Sequence, residues 1–111
     1  MPASKRPRRG EIWLAALDPT LGSEIQKTRP CVVVSPPEMN EHLRTIVVAP
    51  MTTGSRPAPF RIPIAFQRKN GLILLDQLRT LDRQRLVKRL GAVKPATLAA
   101  ALDGLHAMFA P

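Results

Sequence analysis

Between Glu11 and Leu17 apolar side chains fill both alternating sets of positions. Ile12, Leu14 and Ala16 form one set, and Trp13, Ala15 and Leu17 the other. The run is too short for a helix and stops at Asp18-Pro19, so it predicts a strand covered on both faces. "CVVVS" (31–35) is β-branched and closed by Pro36-Pro37; "TIVVAP" (45–50) ends on Pro50. Both predict strands. "EMNEHL" (38–43), between them, predicts one helical turn. After the proline-rich loop "SRPAPF" (55–60), "FRIPI" alternates, but its Pro63 restricts it to a sheet edge or a bulge. Asn70-Gly71 marks a turn, and "LILLDQLRTL" (72–81) then reads as one strand that polar residues enter at Asp76 and Gln77. "DRQR" predicts a short helical turn and "LVKRLGAV" a last strand. Pro95 opens a helix with Leu98, Leu102, Leu105 and Phe109 as its expected apolar stripe.

Short strands punctuated by Pro and Gly and closed by one helix predict a small curled sheet or barrel, a mainly β chain with helices (α+β). Burial on both faces of the first three strands favours closure, since open antiparallel sheets usually keep one wet face. The 111 residues suit one domain, and with aromatics at 4% its core must be built from Leu, Val, Ile and Ala. Residues 1–9 read as a flexible basic arm and 10–111 as the single domain. A domain this small leaves much surface exposed, which makes a homodimer a reasonable expectation.

Charge narrows the function. Lys and Arg number 17 against 8 Asp and Glu, a net +9. Without Lys5, Arg6, Arg8 and Arg9 the remainder still carries +5 (9 − 4), so a polyanion, nucleic acid above all, is the expected partner. Cofactor chemistry finds no scaffold: there is no GxxxxGK, GxGxxG or GxSxG. His42 and His106 are far apart and the acids are scattered, so no metal is expected. The lone Cys31 sits in an apolar run and reads as a buried thiol. No apolar segment is long enough to span a membrane and no secretory signal opens the chain, which makes the cytoplasm the expected compartment.

Three polar spots lie at strand ends: the loop with Glu24, Lys27 and Arg29; Thr52, Thr53 and Ser55; and Asp76, Gln77 and Arg79. Arginine offers a fixed fork of donors matched to phosphate oxygens, and a hydroxyl can donate to a third oxygen. RNA carries its own nucleophile, the 2′-OH, so a protein need only align it, neutralise the developing charge and help move protons. Each spot also has an ordinary explanation: a strand entry for Arg29, turn hydrogen bonds for Thr52 and Thr53, an arginine partner for Asp76.

Taken in order, "RGEIWLAALDPTLGSEIQKTRPCVVVSP", "VVAPMTT" and "GLILLDQLRTLDRQRL" closely resemble the MazF/PemK family of toxins from bacterial toxin–antitoxin pairs, from about Arg9 to the final helix. The resemblance implies an SH3-like barrel with a C-terminal helix, MazF/CcdB-like, forming a homodimer. It implies metal-independent, sequence-specific cleavage of single-stranded RNA, mRNA and also rRNA or tRNA, by 2′-OH attack. The products would be a 2′,3′-cyclic phosphate and a 5′-OH end, and translation and growth would stop. It also implies a cognate acidic antitoxin, MazE-like, whose disordered tail would seek a basic groove. By position the MazF catalytic pair falls on Arg29, in TRP, and Thr52, in PMT. Arg29 is assigned to transition-state charge, with proton transfer at the leaving oxygen as a second role, and Thr52 to orienting the phosphate. Glu24 is a third candidate, as acceptor of the 2′-OH proton. Ser23, Gln26, Lys27, Thr28, Thr53, Ser55, Asp76, Gln77 and Arg79 are the expected RNA contacts.

Two departures bear on mechanism. The Kid/PemK branch has a histidine where this chain has Ser23, and an arginine where it has Leu74, so Asp76 lacks both companions. A MazF-type Arg/Thr site is therefore expected, with the general acid and base unassigned. The alternative is a non-catalytic module on the same barrel, binding nucleic acid or inhibiting gyrase as CcdB does. CcdB relies on a terminal Trp-Gly-Ile, whereas this chain ends "HAMFAP".

Overall fold

The computed structural model describes residues 5–111. Its strands are β1 (Glu11–Ala16), β2 (Thr28–Val33), β3 (Thr45–Thr52), β4 (Arg61–Phe66), β5 (Lys69–Leu74), β6 (Arg79–Asp82) and β7 (Leu86–Ala92). Helical turn α1 (Pro37–Asn40) joins β2 to β3, and helix α2 (Pro95–Phe109) closes the chain. The sheet runs β4-β5-β3-β2-β1-β7, with β6 also on β3, and its pairings are antiparallel. It curls into a half-barrel, as expected, with β4 and β7 left as unpaired edges.

Two cores explain the two-face burial of the early strands. Trp13, Ala15, Leu17, Cys31, Val33, Ile46 and Val48 point to one face, where Leu81 and Leu86 close over them. The alternate residues, Ile12, Val32, Val34, Ala49 and Met51, point to the other and meet Ile73, Leu75 and Ala101. Alternation along a strand sends neighbouring side chains to opposite faces, so a continuous apolar run is required here. The expected buried thiol is found: Cys31 is fully buried and desolvation pushes its pKa up to about 12.

The expected single strand 72–81 is broken. β5 and β6 are separate, joined by a 3-10 turn at Leu75–Gln77. On β3, Val48 lies opposite Arg79 and Met51 opposite Ile73, so residues 49–50 face the whole of 74–78. Pro50 has no N–H to offer a ladder, and the facing chain buckles outward there.

The expected turn at Asn70-Gly71 is also displaced. The chain reverses at Gln67 and Arg68, both with positive φ (52° and 64°), and Asn70 and Gly71 lie inside β5 opposite Ala65 and Ile64. Gly71 answers a different need. A Cβ there would stand 2.7 Å from the Thr52 carbonyl oxygen, so only glycine lets β5 approach β3 so closely.

Pro95 does open α2, and of the expected stripe Leu98 lies against Gly10, Leu105 packs on the core and Leu102 is half-buried, so only Phe109 departs from it. Ala101 is fully buried with Leu105 and Met108 beside it, whereas Phe109 is 71% exposed. The spacing 101, 105, 108 follows one helical face, and Phe109, one residue past Met108, turns off it.

Of the basic arm, residues 1–4 lie outside the described residues. Residues 5–9 are fastened to the sheet. The Lys5 ammonium donates to the Leu86 carbonyl, Arg83 donates to the Lys5 carbonyl (3.2 Å), and Arg9 Nε donates to the Val34 carbonyl (2.9 Å). Glu11 anchors the next step, accepting from Arg8 N–H (2.8 Å), the Trp13 indole (3.1 Å) and Arg89 (2.7 Å). Burial pushes the Glu11 carboxyl up, but these three donors together outweigh it and hold the pKa below the usual 4.5. A depressed folded pKa stabilises the fold above the unfolded value, and that stability is lost as pH falls through the folded one. Thermal unfolding of Glu11→Gln is therefore expected to lose less stability than wild type on acidification below 4.5. Parallel curves for the two proteins would contradict the assignment.

Candidate active site

Arg29 and Thr52 come together because β2 and β3 end side by side. Cys31 lies opposite Pro50 and Val32 opposite Ala49, so the residue numbers of each pair sum to 81. Carried two positions further, that register sets Arg29 across from Thr52. Both line one hollow of about 190 Å³, with Pro30, Thr53 and the β4–β5 hairpin residues Phe66 and Lys69. Pro30 biases Arg29 toward an extended backbone, which suits the first turn of a strand.

Thr52 is 9% exposed, and its Oγ1 accepts from Gly54 N–H at 3.2 Å. The hydroxyl proton is left to donate, and the accepted bond fixes the oxygen's position. Arg29 is half-buried, with its Nε donating to the Gln26 carbonyl at 3.1 Å. The ion pairs among the described residues are Arg61–Asp76 (3.0 Å) and Arg89–Glu11 (2.7 Å), and neither involves Arg29. Its guanidinium charge therefore has no carboxylate partner in this hollow, the state in which it attracts an anion most strongly.

A second hollow, of about 630 Å³, gathers other expected site residues: Ser23, Glu24, Asp76, Gln77 and Arg79. Most of these side chains are occupied. Glu24 Oε1 accepts from Leu21 N–H (2.8 Å), closing its own turn. Gln77 Oε1 accepts from Ile25 N–H (2.6 Å), and its amide donates to the Ser23 carbonyl (3.4 Å). Arg79 donates to the Leu17 carbonyl (3.1 Å). Gln77 and Arg79 thus hold the 17–28 loop onto the sheet from the buckled β5–β6 connection. Asp76 is held by both Arg61 Nε (3.2 Å) and Nη2 (3.0 Å), a bidentate pair that raises the Arg61 pKa, chiefly through the side-chain hydrogen bond. That arginine comes from β4, where Arg61 lies opposite the buried Leu74.

The remaining candidates are exposed or peripheral. Lys27 has positive φ (71°) and is set by its backbone, its N–H donating to Asp18 Oδ1 (3.0 Å) and its carbonyl accepting from Leu17 (2.9 Å). Gln26 contributes its carbonyl to Arg29, Thr28 begins β2, and Ser55 is half-buried in the following loop. Phe66, Gln67 and Lys69 line the Arg29 hollow but carried no signal in sequence, because they reach it through hairpin packing rather than proximity along the chain. The described residues contain no group of three or more His, Cys, Asp or Glu that would hold a metal.

Residues 8–109 match the family described as PemK-like, MazF-like toxin of type II toxin–antitoxin system. The chain belongs to this toxin family. It is 44% identical over 96 residues to the endoribonuclease PemK of Escherichia coli, covering 81% of this chain and 71% of that protein. It is 36% identical to the endoribonuclease MazF of Staphylococcus epidermidis, over 75% of this chain and 74% of that one. Its fold matches a crystal structure of MazF from Deinococcus radiodurans at TM-score 0.84 and 25% identity, over 96% of this chain and 99% of that one. A mycobacterial endoribonuclease in complex with its cognate antitoxin matches at TM-score 0.79 and 26% identity, over 95% and 97%.

Gln77→Ala should free the Ile25 amide and loosen the loop that leads to Arg29. A loss of about 1 kcal/mol is expected, with faster hydrogen exchange confined to residues 21–28. Unchanged exchange there would show that the loop is held by other contacts.

Proposed function

We propose that this toxin cuts single-stranded RNA at the Arg29–Thr52 hollow by attack of the substrate's own 2′-OH. The observation that carries the reading is the juxtaposition itself: an arginine without a carboxylate partner and an oriented hydroxyl on adjacent strand ends, lining one hollow. The phosphate would sit between them. Attack by the 2′-oxygen forms a P–O bond and breaks the bond to the 5′-oxygen of the next nucleotide. The 2′-OH gives up a proton and the departing 5′-oxygen takes one, leaving a 2′,3′-cyclic phosphate and a 5′-OH. Arg29 stabilises the charge that builds on the phosphoryl oxygens and lies near the leaving oxygen. An arginine guanidinium holds its proton, which makes it a poor general base. Thr52 donates to a non-bridging oxygen and fixes the phosphate in line. The nucleophile belongs to the substrate, so the chemistry has no need of a metal.

Glu24 would reach a 2′-OH only after leaving the Leu21 amide, which makes it a weaker candidate for the base than its position in the sequence implies. Asp76, Gln77 and Arg79 would meet RNA from the second hollow, where Gln77 and Arg79 also hold the loop. We favour the Arg/Thr arrangement over one built on histidine, because Ser23 and Leu74 supply neither a titrating group nor a cation. The substrate would be mRNA or other unpaired RNA, and a dimer would present two such hollows. The natural inhibitor would be an acidic antitoxin, whose tail competes for the same positive surface.

Arg29→Ala should lower single-turnover cleavage by roughly 100- to 1,000-fold while leaving the unfolding temperature close to wild type. Thr52→Val, which keeps the shape and removes the hydroxyl, should fall by a similar factor, and Thr52→Ser should recover most of it. Wild-type rates in Arg29→Ala, measured on a short labelled RNA, would overturn the site.

A further inference from the structure

Pro7 is buried while Arg6 and Arg8, on either side of it, are exposed, so the basic arm turns two arginines outward. Its backbone is fixed. Arg83 donates to the Lys5 carbonyl (3.2 Å), the Arg8 N–H donates to Glu11 Oε1 (2.8 Å), and the Glu11 N–H donates back to the Arg8 carbonyl (3.0 Å). Neither ion pair among the described residues, Arg61–Asp76 or Arg89–Glu11, involves the arm. Arg6, Arg8 and Arg9 line a hollow of about 450 Å³, with Asn40 and Glu41 at the end of α1 as its other wall. That wall is rigid, since the buried Asn40 donates to the Ser35 carbonyl (2.8 Å). Lys5, Arg44 and Arg83 add their charges at this end of the sheet, and Glu38, Glu41 and Asp82 offset half of the total. Arg83 Nε is buried with no acceptor among the described residues. The Gly10 N–H donates to the Val33 carbonyl (2.7 Å) and Arg9 to that of Val34, which puts the hollow at the end of β2 away from Arg29. Val34 lies five residues beyond Arg29 (34 − 29), about 16 Å at the rise of a strand.

We infer that this hollow is a second anchoring site for RNA, which holds a backbone phosphate of the same strand well away from the one being cut. The inference rests on the endoribonuclease reading above. A guanidinium fork matches phosphate oxygens, and two forks on a fixed backbone lose less freedom on binding than two on a free tail. The separation from Arg29 means that the phosphate held here is a different one from the scissile phosphate. The protein measures 42 Å in its longest dimension, so a strand that runs on past the cut has the arm within reach. The lining offers no aromatic ring on which a base could stack and no large aliphatic side chain. The contact is therefore with the RNA backbone, and it adds affinity without adding to the sequence that is cut. The same lining disfavours an acidic peptide, which would need an apolar or aromatic anchor seated in a pocket. RNA carries a charge on every nucleotide and can engage the arm in any register.

The test is the binding of single-stranded 2′-O-methyl RNA, which keeps the phosphates and lacks the nucleophile, across a series of salt concentrations. Wild type is compared with the double variant Arg6→Gln/Arg8→Gln. Arg9 is kept, because its bond to Val34 holds the arm in place. Two lengths of RNA are used: one spans only the Arg29–Thr52 hollow, and the other runs on past the far end of β2. With the long RNA, the slope of log affinity against log salt should be shallower in the variant by about 1.4, the loss of two single-strand phosphate contacts. With the short RNA the two slopes should coincide. Equal slopes on the long RNA would overturn the site. So would equal losses on both lengths, which would show that the arginines act at the cutting hollow or through the general field. A variant that binds the long RNA as wild type does, but binds an acidic peptide more weakly, would also overturn it and make the hollow a peptide site. Because the probe is never cut, failure of the endoribonuclease reading shows separately, as no cutting of unmodified RNA by wild type.

Discussion

The break in the sheet opposite Pro50 is the constraint on which the rest of the structure depends. A proline in the middle of β3 cannot complete the ladder, and the chain from Leu74 to Leu78 leaves the sheet where it faces Ala49 and Pro50. Three consequences follow. β5 and β6 pair with different ends of β3, which divides the sheet and permits a core on each face. The displaced turn carries Gln77 to the Ile25 amide, so the long β1–β2 loop is tied down before it delivers Arg29 to β2. Beyond the break, β5 returns close enough to β3 for Gly71 to meet the Thr52 carbonyl, which builds the far wall of the hollow.

The arginines show how a basic chain can spend cations on structure without neutralising them. Arg9, Arg79, Arg83 and Arg85 donate to backbone carbonyls of Val34, Leu17, Lys5, Ala16 and Asp18. A carbonyl fixes a guanidinium without cancelling its charge, unlike a carboxylate. The +9 excess therefore survives as a field from fixed positions, and long-range attraction for a polyanion coexists with an ordered surface. Asp76 and Glu11 are the exceptions, and both pairs lie outside the Arg29 hollow.

Much of this was legible in the sequence. β-branched runs marked β2 and β3, but β3 does not stop at Pro50 as its sequence suggests: it runs through the proline to Thr52. Arg29 and Thr52 were legible through their motifs, and the register explains why residues so far apart line one hollow. What was not legible arose from packing across distance. Asn70-Gly71 has the local chemistry of a turn, yet the glycine was needed for a close backbone approach and the turn moved to Gln67-Arg68. The run 72–81 looked continuous because nothing within it announces the proline on the strand it faces. Phe66 and Lys69 carried no motif, and Phe109 matched the helical stripe but lies off the face that Ala101, Leu105 and Met108 bury.

The central claim is that the substrate's 2′-OH is the nucleophile. It is tested most directly by mass spectrometry of the ends left when purified wild-type protein digests a defined single-stranded RNA in EDTA. The account predicts fragments with a 2′,3′-cyclic phosphate and a 5′-OH, and no cutting where a 2′-deoxy nucleotide replaces the one before the cut. Fragments with a 5′-phosphate, or cleavage that survives the 2′-deoxy substitution, would contradict it.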